Sequence, residues 1–127
     1  MKKIILLFCF APLLMSHTCE DDDYNHHHPC TDAARAGLNV TVTLNGEAIN
    51  SDAGITVTAR DGNYIEDLET YGQAPFIFSG AYERMGHYTI TVSKPGYQDY
   101  VSNTVTVSHD ECHVIPRQIT ANLVPIP

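Results

Sequence analysis

The chain has no tryptophan and few cations, with seven Lys and Arg against fifteen Asp and Glu and a formal charge of −8 at pH 7. So acidic a chain argues against a phosphate backbone as partner, and nucleic acid is set aside. Long Ala/Leu/Glu/Lys-rich runs of helical character are also missing, while the apolar residues are mostly β-branched and Thr is abundant. That balance favours an all-β architecture. There is no Gly-x-Ser-x-Gly elbow, no glycine loop built to cradle phosphate and no prominent carboxylate pair, so common signatures of hydrolases and nucleotide-dependent enzymes are absent. At 127 residues the chain has room for one domain.

What is present begins with an address. Met1-Lys2-Lys3 and the apolar run Ile4 to Met15 have the charged start and short apolar core of a secretory signal peptide, too short to span a bilayer comfortably. Residues 1–18 are therefore excluded from the fold. No Ala-x-Ala site follows. Instead Cys19 stands just behind the run and ahead of Glu20-Asp21-Asp22-Asp23, an arrangement that resembles the lipoprotein signals of outer-membrane bacteria. The resemblance implies that Cys19 becomes the acylated first residue, that the membrane is a partner through a lipid anchor, and that the protein sits at the outer membrane or cell surface. Ser16-His17-Thr18 departs from the usual residues before such a Cys, and a plainly secreted protein is the alternative. Without residues 1–18, Arg35, Arg60, Arg84, Lys94 and Arg117 face all fifteen acids.

Residues 19–29 carry four consecutive acids and no apolar periodicity, and they read as a flexible tether. His26, His27 and His28 lie in it. Imidazoles ligate Zn²⁺ or Cu²⁺, but three adjacent His on a tether form no preorganised site, so neither a metal nor another cofactor is assigned.

From residue 30 to 127 the chain alternates strand patterns with turn punctuation. Leu38, Val40, Val42 and Leu44 share one face of a first strand that ends at Asn45-Gly46, a hairpin signal leading into Glu47-Ala48-Ile49. Ile55 to Arg60 and Asn63 to Leu68 flank Asp61-Gly62 as a second hairpin. Phe76 to Ser79 follows Pro75 as a short strand, with Phe76 and Phe78 both directed to the core. In Gly86 to Ser93 the apolar Tyr88, Ile90 and Val92 alternate with Thr89, Thr91 and Ser93. Pro95-Gly96 then sets a type II turn, and Tyr97 to Val101, Thr104 to Val107 and a run from Cys112 to Leu123, broken at Pro116, complete the count.

The pattern formed by Gly86, Tyr88, Ile90, Val92, Pro95, Gly96 and Tyr97 resembles that of carboxypeptidase regulatory-like domains. The resemblance spans roughly Cys30 to Pro125. It implies an antiparallel transthyretin-like (prealbumin-like) β-sandwich of seven to eight strands, and a non-catalytic binding or accessory module at the cell surface with a protein or glycan partner. A hydrolase of purine breakdown shares that sandwich, but its C-terminal Tyr-Arg-Gly-Ser is replaced here by Ala-Asn-Leu-Val-Pro-Ile-Pro. The alternative function is a small hydrolase or metal-dependent enzyme using His87, His109 and His113, with Asp110 and Glu111 close in sequence. Scattered polar residues at strand ends are the simpler explanation of those histidines.

Four cysteines remain to be placed. Cys9 leaves with the signal peptide and Cys19 is committed if acylated, so Cys30 and Cys112 are left as a pair in an oxidising compartment. They lie just before the first and last strands, which are commonly neighbours in such sandwiches, and a disulfide between them is expected. Neither has a second Cys at metal-binding spacing.

Overall fold

The computed structural model describes residues 29–127. The expected signal peptide, the acylated Cys19, the tether up to residue 28 and His26, His27 and His28 all lie outside the described residues.

The described chain is all-β, with nine strands in two sheets that face each other as a sandwich. In order they are β1 (Ala36–Leu44), β2 (Glu47–Ala48), β3 (Thr56–Asp61), β4 (Tyr64–Asp67), β5 (Ile77–Tyr82), β6 (Gly86–Ser93), β7 (Tyr100–Val101), β8 (Val105–Val107) and β9 (Arg117–Leu123). One sheet is built on β1, which pairs with β2, β5 and β9. The other runs β4, β3, β6, with β7 and β8 both on β6.

The alternation of the sequence appears directly as burial. Leu38, Val40 and Val42 of β1, Val57 and Ala59 of β3, Tyr88, Ile90 and Val92 of β6, and Ala121 and Leu123 of β9 are all essentially inaccessible. A period of two places them on the inner faces, and burying each large aliphatic side chain contributes about 1.5–3 kcal/mol before chain entropy is counted. Tyr88 is the largest of these buried side chains. Its hydroxyl accepts from Arg84 Nη1 and donates to the Arg84 carbonyl, both at 2.9 Å, so the polar end of a core ring is fully used. Arg84 also binds Asp61 at 3.0 Å and lies 3.6 Å over the Tyr64 ring, tying the β5–β6 turn to the β3–β4 hairpin.

Three features depart from the sequence expectation. The sandwich is not wholly antiparallel: β1 and β9 run parallel, in register from Leu38 opposite Arg117 to Leu44 opposite Leu123. A parallel pair needs a long connection, and almost the whole domain lies between these two strands. The strand expected at Tyr97 to Val101 shrinks to β7, because the C-terminal segment takes the backbone of residues 96–98. Gln98 N–H donates to Val124 O, and Ile126 N–H donates to Gly96 O. The ladder beyond β7 is carried partly by a side chain, since Ser102 Oγ accepts from Ile90 N–H at 2.8 Å. Phe76 is only half-buried while Phe78 is in the core, as β5 begins at Ile77 and Phe76 falls outside the pleat that enforces alternation.

The Pro95-Gly96 turn forms as expected, with Gly96 at φ 86° and Tyr97 N–H donating to Lys94 O at 3.0 Å.

Candidate functional site

Three segments meet where the described chain begins: residues 29–35, the β5–β6 turn, and the tight hairpin that precedes β9. The hairpin is set by backbone pairing, Ile115 N–H to Ser108 O and Asp110 N–H to His113 O. Its tip is folded over the Asp110 carboxylate, whose Oδ1 accepts from Cys112 N–H and His113 N–H, both at 2.8 Å. Those two backbone donors hold the Asp110 carboxyl below its ordinary value.

Cys112, held at this tip, is bonded to Cys30 with a Cα–Cα separation of 5.1 Å, as expected from the sequence. The bridge brings the following residues together as well. Thr31 Oγ1 lies 3.0 Å from His113 Nε2.

On its other edge the His113 ring meets Glu83, with Nδ1 to Oε1 at 2.6 Å. Glu83 sits in the β5–β6 turn at φ 52°, a left-handed conformation that costs a non-glycine residue about 1–2 kcal/mol. Its backbone N–H donates to Arg35 O at 3.0 Å, while its carboxylate accepts from Arg35 N–H at 2.8 Å and Val114 N–H at 3.2 Å. The Arg35 amide is the first cause, and the His113 and Val114 contacts further causes, that keep the Glu83 carboxyl below its usual range. One carboxylate thus joins the start of β1, the turn between β5 and β6, and the approach to β9.

A concavity of about 380 Å³ opens beside this array, lined by Pro29, Thr31, Arg35, Asp110, Glu111, Cys112 and His113. His87 and His109 are not in its wall. His87 is exposed on β6 and pairs through Nδ1 with Thr106 Oγ1 at 3.1 Å, and His109 faces Val114 as an isolated bridge. The three histidines singled out in the sequence therefore have separate partners, and only His113 is buried. Among the described residues no group of three or more His, Cys, Asp or Glu is placed to hold a metal ion.

Glu83 and Thr31 were not identified from the sequence. Thr31 had a signal: once Cys30 is paired with Cys112, their neighbours Thr31 and His113 are forced close. Glu83 had none, because its role depends on a positive φ at a residue type that rarely adopts one.

A second concavity, of about 460 Å³, lies along β4 and β5 and is lined by Glu66, Asp67, Glu69, Thr70, Tyr71, Ser79 and Tyr82. Tyr71 is 91% exposed and Tyr82 49%. The Tyr82 hydroxyl is raised above its ordinary value by burial and by the neighbouring Tyr71.

Comparison with protein-family models and with curated proteins finds no match to this chain.

Proposed function

We propose that the protein is an extracytoplasmic β-sandwich module, held at the outer membrane or cell surface by an acylated Cys19 and presenting its folded domain to a protein or glycan partner. The observation that carries this reading is the Cys30–Cys112 bridge, which suits an oxidising compartment and ties the first described residues to the approach to β9. A pull on the tether passes into the bridge and from there to the approach to β9, so the first strand is not left to bear it alone. The groove around Tyr71 and Tyr82 supports the binding role, since exposed aromatic rings flanked by carboxylates and hydroxyls suit stacking and hydrogen bonding to a partner.

The domain is proposed to share the transthyretin-like topology of carboxypeptidase regulatory-like domains. In support, Tyr88, Ile90 and Val92 of the resembling stretch are core residues and Pro95-Gly96 makes the turn. The alternative enzyme built on His87, His109 and His113 draws no support from their placement.

The test is fractionation of cells producing wild type and Cys19→Ser, with protease added to intact cells. The wild type is expected in the membrane fraction and open to the protease, and the variant in the soluble fraction or the medium. Membrane retention of the variant, or full protection of the wild type, would contradict the proposal.

A further inference from the structure

The contacts around His113 have an order with chemical meaning. A carboxylate, Glu83, binds Nδ1 at 2.6 Å, and a hydroxyl, Thr31 Oγ1, lies 3.0 Å from Nε2. A carboxylate can only accept, so Nδ1 carries the proton in the neutral ring and Nε2 is left as the acceptor for the Thr31 O–H. This is the arrangement that activates a hydroxyl nucleophile: base within hydrogen-bond reach, and base oriented by a third group. We propose that Thr31, His113 and Glu83 form a nucleophile, base and positioning-carboxylate relay that hydrolyses small uncharged carboxylic esters, an activity beyond the binding role and independent of it.

Four observations favour a reactive array over a merely structural contact. Thr31 is an exposed residue while His113 is buried, and their contact is part-buried, so the nucleophile stands at the surface and the base behind it. Both are held from outside the relay, Thr31 by the neighbouring disulfide and His113 by the Asp110 carboxylate on its backbone N–H. Glu83 is kept ionised by two backbone N–H donors in addition to the imidazole. Thr31 and His113 also share the wall of a concavity with Arg35, while Asp110 and Glu111 in the same wall disfavour anionic substrates. The concavity, about 380 Å³, is shallow and open to solvent, so a small ester can reach Thr31 from the surface.

In the acylation step Thr31 Oγ1 forms a bond to the ester carbonyl carbon and gives its proton to His113 Nε2. Collapse breaks the bond to the alkoxy oxygen, which takes that proton and leaves as the alcohol. Water then attacks the acyl-threonine, its proton passing to Nε2 and on to Thr31 Oγ1 as the carboxylic acid departs. The net reaction consumes one ester and one water, and yields one acid and one alcohol.

The purified full chain, disulfide intact, is tested with p-nitrophenyl acetate and butyrate. Release of p-nitrophenol above the buffer rate is expected, falling about a hundredfold or to background in Thr31→Ala at an unchanged melting temperature, and retained in Thr31→Ser. Glu83→Gln is expected to lower kcat at nearly constant KM, because an amide no longer fixes the imidazole tautomer. A fluorophosphonate probe should add its mass to the peptide containing Thr31. No hydrolysis by the wild type, equal rates in Thr31→Ala, or labelling at another residue would overturn the proposal. Thr31 is exposed, so its variants keep the test decisive even where substitution of buried His113 disturbs folding.

Discussion

Glu83 and His113 are thirty positions apart in the chain and meet at 2.6 Å, closing the end of the sandwich where the described residues begin. Around that contact the Glu83 carboxylate accepts backbone hydrogen bonds from Arg35 and Val114. The same contact thus orders three segments that the sheets alone leave at their edges.

Acid is expected to undo this junction first. Glu83 and Asp110 are both held below their ordinary carboxyl values of 4.5 and 3.8 in the folded protein. A depressed folded pKa contributes stability that is complete above the unfolded value and lost as pH falls through the folded one. In thermal melts, the share of stability that these two carboxylates contribute should be complete at neutral pH and be lost progressively below about 5. The Glu83→Gln variant should show a shallower acid limb, and identical limbs for both proteins would remove Glu83 from the account.

The disulfide closes a loop across a sequence separation of 82 residues. Chain entropy puts its contribution at about 4.5 kcal/mol, and loss of a native bridge in small secreted domains costs about 2–5 kcal/mol. Urea unfolding of Cys30→Ser or Cys112→Ser should lower the free energy of unfolding by that amount, seen as a lower midpoint. An unchanged midpoint under reducing conditions would make the bridge irrelevant to stability.

Tyr88→Phe removes one hydroxyl from the core and leaves the ring. The Arg84 carbonyl then loses a donor and the guanidinium an acceptor, a change worth about 1–2 kcal/mol by denaturant titration. A neutral result would mean that water replaces both contacts.

Gly80→Ala tests the packing of β4 against β5. A Cβ at Gly80 would meet the Glu66 carboxylate and come within 2.9 Å of Leu68 Cγ, and Glu66 Oε2 is already committed to Ala81 N–H at 2.9 Å. Overpacking of this kind costs about 1–3 kcal/mol, visible as a lowered melting temperature.

Most of the sheet was legible in the sequence because a half-buried strand writes its inner face as every second residue. Leu38, Val40 and Val42, or Tyr88, Ile90 and Val92, need no knowledge of partners to be assigned inward. The Pro95-Gly96 turn was equally local. What pairs with what was not. The parallel alignment of β1 with β9 and the capture of residues 96–98 by the C-terminal segment depend on contacts between distant parts of the chain. The candidate site divides the same way: the Cys30–Cys112 pairing followed from parity and compartment, whereas Glu83 reached His113 through a left-handed residue that no pattern announces.

The central claim, a lipid-anchored module stapled where its tether enters, is tested most directly by the intact mass of the protein isolated from producing cells. The account predicts an N-terminus at Cys19 carrying a diacylglyceryl group and fatty acid, with Cys30 and Cys112 short of two hydrogens until a reductant is added. A mature chain beginning elsewhere with Cys19 absent or unmodified, or free thiols at Cys30 and Cys112, would contradict it.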